Sequence, residues 1–532
     1  MTDPNHNTEV ERARNPVVEA LYCMIAAVVL VVPGVMTFMP SADGDATLAR
    51  ERRVASKAPR PQLDQLADFP AQYQAWFGRS FGLRGPLLRL HAHSWYHAFR
   101  RAPGKRILLG EGDWLFTTAS HVIDDVRGVA PLSDEVLENW RLTLEARRDW
   151  LASRGIPFVF AVVPSKSAVY PERLPERYDI VGKSRRQQFL DYMREHSDVD
   201  VLDLMPAVLE AKAQSAPNDN AYYPLGTHWT PRGAHHAYRA IIDVLRADFP
   251  ELRAWPLSDF TAIPMTQQDD ESDAVFLDDL LTQSENRLEP IRGWLSTEHG
   301  EEDSMGMGQL FAQEDRSLPR ALFIRDSFGV ALAPFLAQHF SQLQSLGTDS
   351  FPVWAIRELQ PDVVIQVYVD RFAESIRPTV QTLFEQAEIK ERFDASDQVR
   401  LAAAAPGRHP QLDGYQRTRI SGGGSQPTIL HLDSLTRGFL VDEPQLDPRH
   451  EVAVLRVAFE APAASYASVY YMEQETQGYR HQRREKLPAE QGFNELYFLL
   501  SSPTMTGPLL VRPGSVTGDY PIIDCELRVI RR

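Results

Sequence analysis

The chain has 532 residues, a net charge of −16 from 72 acidic against 56 basic side chains, and 43% hydrophobic residues. That length calls for two or three domains, the apolar content supports sizeable cores, and the acidic balance argues against a nucleic-acid backbone as partner. The two cysteines, Cys23 and Cys525, are not expected to pair, because Cys23 lies in an apolar N-terminal segment.

Residues 1–15 form a polar tail. Pro16 to Met39, PVVEALYCMIAAVVLVVPGVMTFM, is the one membrane-length apolar run, with a single charge at Glu19. At about 1.5 Å rise per residue it predicts a transmembrane signal-anchor over 16–39, with the bulk of the chain exported. Charge leaves its orientation open: Arg12 and Arg14 precede it, while Arg50, Arg52, Arg53 and Lys57 follow. Residues 40–68 read as a linker. Phe69 to Arg101 reads as helix broken near Gly78 to Gly85, and Ile107 to Phe116 as a strand, a glycine turn and an aromatic plug around Trp114.

A strand-helix alternation follows. Ser133 caps an amphipathic helix to Arg154 with Leu137, Trp140, Leu144 and Leu151 on one stripe. Pro157 to Val163 is a buried strand running into Pro164-Ser165-Lys166, Arg185 to His196 a helix and Val199 to Leu204 a strand. This pattern predicts an α/β domain with a mostly parallel sheet flanked by helices over residues 69–395. Asp269 to Asp315 is irregular and acidic, a surface excursion or lid. From about Leu401 short aromatic and β-branched runs separated by turn signals predict a C-terminal antiparallel β-sandwich over 401–532. Its Tyr466, Tyr470, Tyr471, Tyr479, Tyr497 and Phe498 either form a sugar-binding face or fill the core.

Two stretches carry chemistry. Ala321 to Val330, ALFIRDSFGV, begins as a buried strand, turns polar at Arg325-Asp326-Ser327 and continues with helical spacing through Val330, Leu332, Phe335, Leu336 and Phe340. A serine there emerges at the carboxyl end of a strand, beside helix N–H groups able to hold an oxyanion, or it only caps the helix. Tyr222 to Leu245 contains a helix started by Thr230-Pro231, with His228 on the loop before it. His228 is the candidate base. His235 and His236 fall within the helix, and their adjacent spacing implies no metal site. No phosphate-binding or dinucleotide fingerprint is present, and no cofactor is implied.

Five stretches in order, WFGRSFGLR, GEGDWLF, VVPSKSAVYPERLP, GTHWTPRGA and IRDSFG, resemble the SGNH hydrolase-like domain of the alginate O-acetyltransferase AlgX/AlgJ family; PDVVIQVYVDR resembles its strand before an acid-Arg pair. The resemblance covers roughly Ala49 to Ile389. It implies a serine nucleophile at Ser327, a histidine base at His228, and transfer of acetyl groups to the hydroxyls of an exported polysaccharide in the periplasm. The implied partners are an inner membrane reached through the N-terminal helix and a membrane-bound O-acyltransferase that delivers the acetyl donor. Some relatives carry a C-terminal carbohydrate-binding sandwich.

One position departs from the family pattern. Where the family has an aspartate that orients the histidine, this chain has Gly226. Loss of such a carboxylate lowers turnover by about 10⁴ in serine proteases, so either another acid reaches His228, a dyad works alone, or the site is degenerate. Asp326 and Asp370 are the candidate substitute acids; Asp326 adjoins Ser327 and either orients His228 or serves the turn, and Asp370 ends a strand on the side of the sheet where the site is expected. Arg325 and Lys166 are candidates for binding substrate, with a salt bridge and a solvated loop as the plain alternatives; Trp114 and Trp229 either stack on sugar rings or pack. The expected activity is O-acetylation through a serine acyl-enzyme. The rivals are a deacetylase of the same mechanism and a non-catalytic glycan-binding subunit.

Overall fold

The computed structural model describes residues 16–37, 58–61, 67–81, 83–265, 270–272, 274–299, 308–347, 351–375, 386–396, 416–417, 428–432, 438–442, 444, 451–473, 484–500 and 505–531. Gly422–Gly424, Tyr479, the chain around Leu401, the basic residues expected to flank the N-terminal segment, and parts of the acidic excursion lie outside these residues. The chain divides into two compact units. The first comprises residues 1–118, 224–227 and 268–283, and the second the remainder.

In the first unit a helix spans Pro16–Thr37. Among the described residues, however, no helix is long and apolar enough to cross a membrane, so the anchor expected over 16–39 is not supported. The helix carries a charge at Glu19 in its first turn and the Pro33-Gly34 pair near its end. Two helices follow, Phe69–Ser80 and Arg84–Phe99, separated at the break expected from the glycines. A hairpin pairs Ile107–Leu109 with Leu115–Thr117. Its turn uses left-handed backbone at Gly112 and Asp113 (φ 68° and 64°), a conformation the glycine adopts without penalty. Trp114 is buried beside Phe116, with ring centroids 6.4 Å apart. Ala92, Tyr96, Ile107, Leu109, Leu115, Leu225, Phe276 and Leu281 form this unit's core.

The second unit holds a seven-stranded sheet. In chain order its strands are β1 (Phe158–Val163), β2 (Val201–Asp203), β3 (Thr297–His299), β4 (Gly308–Ala312), β5 (Arg320–Arg325), β6 (Gln342–Gly347) and β7 (Val363–Val369). The spatial order is β2-β1-β7-β5-β6-β4-β3. The first five in that order run parallel, and β4 and β3 add an antiparallel edge. Two strands of this sheet, β3 and β4, come from the acidic excursion. β7 is buried at every position and is flanked by β1 and β5, which explains its continuous apolar sequence. Three helices are needed below: α1 (Asp134–Ala152), capped by Ser133, whose hydroxyl accepts from Val136 N–H; α2 (Arg185–His196), with a full capping box at Ser184 and Gln187; and α3 (Pro231–Leu245), capped by Thr230. Trp140, Leu144, Phe160, Phe189, Leu322, Ile324, Val364 and Phe372 pack between α1, α2 and the sheet.

Residues beyond β7 build two further sheets, of five and four strands. Leu430, Val441, Leu455, Val457, Phe459, Val469, Phe498, Val511 and Leu527 meet in the core between them. The four-stranded sheet is antiparallel throughout. A helix over Gln386–Asp394 places Ile389 and Phe393 on Val452, Val454, Tyr497 and Ile530. Of the aromatic residues considered for a sugar-binding face, Tyr470, Tyr497 and Phe498 are buried, while Tyr466 and Tyr471 are half-buried.

Candidate active site

Parallel strands end on a common edge, so the segments after β1, β5 and β7 are brought side by side. After β5 comes Asp326-Ser327, after β7 Asp370, and after β1 Pro164-Ser165-Lys166. His228 arrives on the loop before α3. Its Nε2 lies 2.8 Å from Ser327 Oγ, within the range for direct proton transfer. Ser327 is exposed, and the His228 ring rests on Phe328, with ring centroids 4.7 Å apart.

The helix expected after Ser327 is broken into short turns: a 3-10 segment at Ser327–Ala331, one helical turn at Ala333–Leu336 and a second 3-10 segment at Ala337–His339. Pro334, which has no N–H, sits at the start of the middle piece. The serine turn is held instead by Asp326. Its Oδ1 accepts from Phe328 N–H at 2.8 Å and its Oδ2 from Val369 N–H at 2.7 Å. Both oxygens thus serve backbone groups and neither is hydrogen-bonded to His228. Burial raises the Asp326 carboxyl above its usual range, against the two backbone donors.

Asp370 is likewise an anchor. Its Oδ2 accepts from Ser165 N–H at 2.8 Å, tying the end of β7 to the turn after β1. Its Oδ1 is buried without a hydrogen-bond partner, and burial raises its carboxyl too. Neither acid therefore takes the place that the sequence leaves vacant at Gly226. Gly226 belongs to the first unit.

The residues considered for substrate binding are buried in supporting roles. Arg325, at 5% exposure, donates to Ser345 Oγ (2.7 Å), Gln309 Oε1 (3.1 Å) and the Asp326 carbonyl (3.3 Å). A buried guanidinium with several acceptors cannot also reach a glycan carboxylate in the cleft. Lys166 is buried and donates to the Tyr223 carbonyl at 2.8 Å, while Tyr223 N–H donates to the His228 carbonyl at 3.2 Å. Lys166 therefore steadies the histidine loop. Trp229 is 1% exposed, and its indole N–H donates to the Phe328 carbonyl at 3.0 Å. It ties the histidine loop to the serine turn and has no face open to a sugar. Trp114 is buried in the first unit.

Three contributors carry no sequence signal of their own. Tyr222 is fully buried, with its hydroxyl donating to the Pro164 carbonyl and its ring 6.3 Å from Phe328. Phe328 is the shared surface beneath His228, Tyr222 and Trp229. Gly329 is needed for close approach: a Cβ there would stand 2.5 Å from Arg325 Cβ and 2.6 Å from Arg325 Cδ. Gly329→Ala is accordingly expected to lower stability by about 1–3 kcal/mol through overpacking and to displace the serine turn. Thermal unfolding measured alongside esterase activity checks this.

Residues 107–344 match the family model described as "SGNH hydrolase-like domain, acetyltransferase AlgX". The probable alginate O-acetylase AlgJ of Pseudomonas aeruginosa is 30% identical over 168 residues, 30% of this chain and 38% of that protein. Its Pseudomonas putida counterpart is 30% identical over 166 residues, 30% of this chain and 40% of that protein. The chain thus spans about two fifths of the length of these curated relatives. Among solved structures, Pseudomonas aeruginosa AlgX aligns with 80% of this chain and 94% of its own at 15% identity and a TM-score of 0.41. The O-acetyltransferase domain of Pseudomonas putida AlgJ covers 50% of this chain and 91% of its own at 21% identity and a TM-score of 0.35. The likeness first seen in short motifs thus extends, over residues 107–344, to a continuous match with the model of an SGNH hydrolase-like acetyltransferase domain, which contains GEGDWLF, VVPSKSAVYPERLP, GTHWTPRGA and IRDSFG.

Proposed function

We propose that the chain is an O-acetyltransferase that modifies an exported polysaccharide in the periplasm through an acetyl-serine intermediate. The observation that carries this reading is the 2.8 Å contact between His228 Nε2 and the exposed Ser327 hydroxyl. In the first half-reaction His228 takes the hydroxyl proton as Ser327 Oγ attacks the carbonyl carbon of the acetyl donor. The tetrahedral intermediate collapses, the donor's leaving group departs with the proton from His228, and the acetyl group stays on Oγ. In the second, His228 deprotonates a sugar hydroxyl, which attacks the acetyl carbonyl; Oγ leaves and recovers its proton from the imidazolium.

The oxyanion donors are fewer than the sequence suggested. Phe328 N–H is engaged by Asp326 Oδ1 and Gly329 N–H by the Asp326 carbonyl. Ser327 N–H remains, and its peptide is polarised from the far side because the Asp326 carbonyl also accepts from the Arg325 guanidinium. A donor carried across the membrane by an O-acyltransferase completes the proposal, since neither half-reaction draws on a cofactor. The exposure of Ser327 favours one rival, a deacetylase in which water resolves the same intermediate.

The test is to incubate the full chain with a chromogenic acetyl ester, with and without acetyl-free oligosaccharides. Acetate release that is diverted onto sugar hydroxyls, read by mass spectrometry, is the expected result. Release into water alone with every acceptor would establish the deacetylase instead, and an inert wild type would remove both.

A further inference from the structure

From Phe69 to Gly110 the chain contains seven Lys or Arg and no Asp or Glu, although the whole chain carries a net charge of −16. The helix Arg84–Phe99 lies in the middle of this basic stretch. One of its faces is committed to the first unit's core through Ala92 and Tyr96, with Leu88 packed alongside. The rest of its surface presents Leu87, Leu90, Trp95 and Phe99 at 46%, 63%, 37% and 64% exposure, the two leucines opposite the packed face and the two aromatics on its flank toward the C-terminal end. The Trp95 and Phe99 rings meet at 5.4 Å, so the exposed apolar surface carries on to the end of the helix. Arg100 is engaged by Asp113 at 2.5 Å, while Arg101, Lys105 and Arg106 follow immediately and are exposed.

A large apolar ridge on a folded surface marks an interaction site, and its flanking charge selects the partner. Exposed leucine, tryptophan and phenylalanine bordered by arginine and lysine match the boundary between lipid headgroups and acyl chains. At ~1.5 Å per residue the helix is too short to span a bilayer, and its inward face is already packed, so it suits only a position lying along the surface. A soluble anionic glycan would pair with the same charges, but it offers no acyl region to receive Leu87 and Leu90. We infer that the helix Arg84–Phe99, with the basic cluster behind it, docks this protein on an anionic lipid surface. This assignment is independent of the acetyltransferase reading.

The test measures partition of the full chain onto phosphatidylcholine vesicles with and without phosphatidylglycerol. Two variants keep residues 16–37 intact: Leu90→Gln with Phe99→Gln, and Arg101→Gln with Lys105→Gln and Arg106→Gln. All five substituted side chains are exposed, and unchanged unfolding temperatures confirm that the fold is retained. The expected result is binding that requires phosphatidylglycerol, falls with salt, and weakens by about tenfold or more in each variant. Unchanged partition in both variants would overturn the inference and move membrane contact elsewhere on the chain. So would loss of binding to a soluble polyuronate with vesicle binding unaffected.

Discussion

Replacing Ser327 or His228 by alanine is expected to lower acetyl-ester turnover by at least about 10³-fold, with unfolding temperatures near that of the wild type. On the proposed mechanism the two side chains act as a unit, handing one proton across the 2.8 Å between Nε2 and Oγ. The double variant is therefore expected to be no worse than either single one, as non-additivity is the signature of a shared step. Asp326→Ala should behave differently. It releases two buried backbone N–H groups, on Phe328 and Val369, at a cost of about 1–3 kcal/mol each. Its activity loss should arrive together with a clear fall in unfolding temperature. Turnover measured beside calorimetry on the four variants and the wild type separates the roles. A Ser327→Ala protein retaining most of its activity would end the acyl-enzyme reading.

Acid should destabilise the second unit through histidines outside the active site. His235 and His339 are buried to 0% and 5% exposure, and burial holds each imidazole down to about 4 from the usual 6.5. The hydrogen bonds agree with a neutral His339. The Tyr238 hydroxyl accepts from Trp255 N–H, which leaves its proton directed at His339 Nε2, 2.6 Å away. Because the folded values are depressed, the unfolded chain binds more protons between pH 6.5 and 4. Stability is therefore full above 6.5 and is lost as pH falls toward 4. At pH 5 the loss is about 2 kcal/mol per histidine, or about 4 for the pair.

Asp326, Asp370 and Glu285 work in the opposite direction. Burial raises their folded values, so acid favours the folded form through them. The histidine share is isolated by comparing wild type with His339→Gln in chemical denaturation at pH 7.5 and 5. The variant is expected to lose about 2 kcal/mol less than wild type over that interval. Equal losses would show that His339 is not held neutral.

Much of this architecture was legible because local signals agreed with the packing. The continuous apolar runs of β1, β5 and β7 read as buried strands, and Ser133 and Thr230 each cap the helix that begins beside them. Ser327 and His228 were legible by position and motif. What escaped were residues whose role depends on neighbours far away in sequence. An aspartate beside a nucleophile reads either as chemistry or as part of the turn, and only the pairing of β5 with β7 shows both oxygens of Asp326 committed to backbone groups. Arg325 and Trp229 offered a binding role by residue type, whereas the end of β5 and the loop before α3 turn both inward. The helix after Ser327 was overestimated because its apolar spacing outweighed Pro334.

The Asp326–Val369 hydrogen bond joins positions 43 residues apart in the chain. Ser327 and His228 are both synthesised before the segment that fixes their geometry. A chain emerging in order, from a ribosome or through a membrane pore, holds both reactive groups while β7 is still undelivered. Until Val369 is seated, the carboxylate has lost one of its two donors and the serine turn one of its fixings. The serine turn is therefore fully fixed only when the last strand of the sheet is in place.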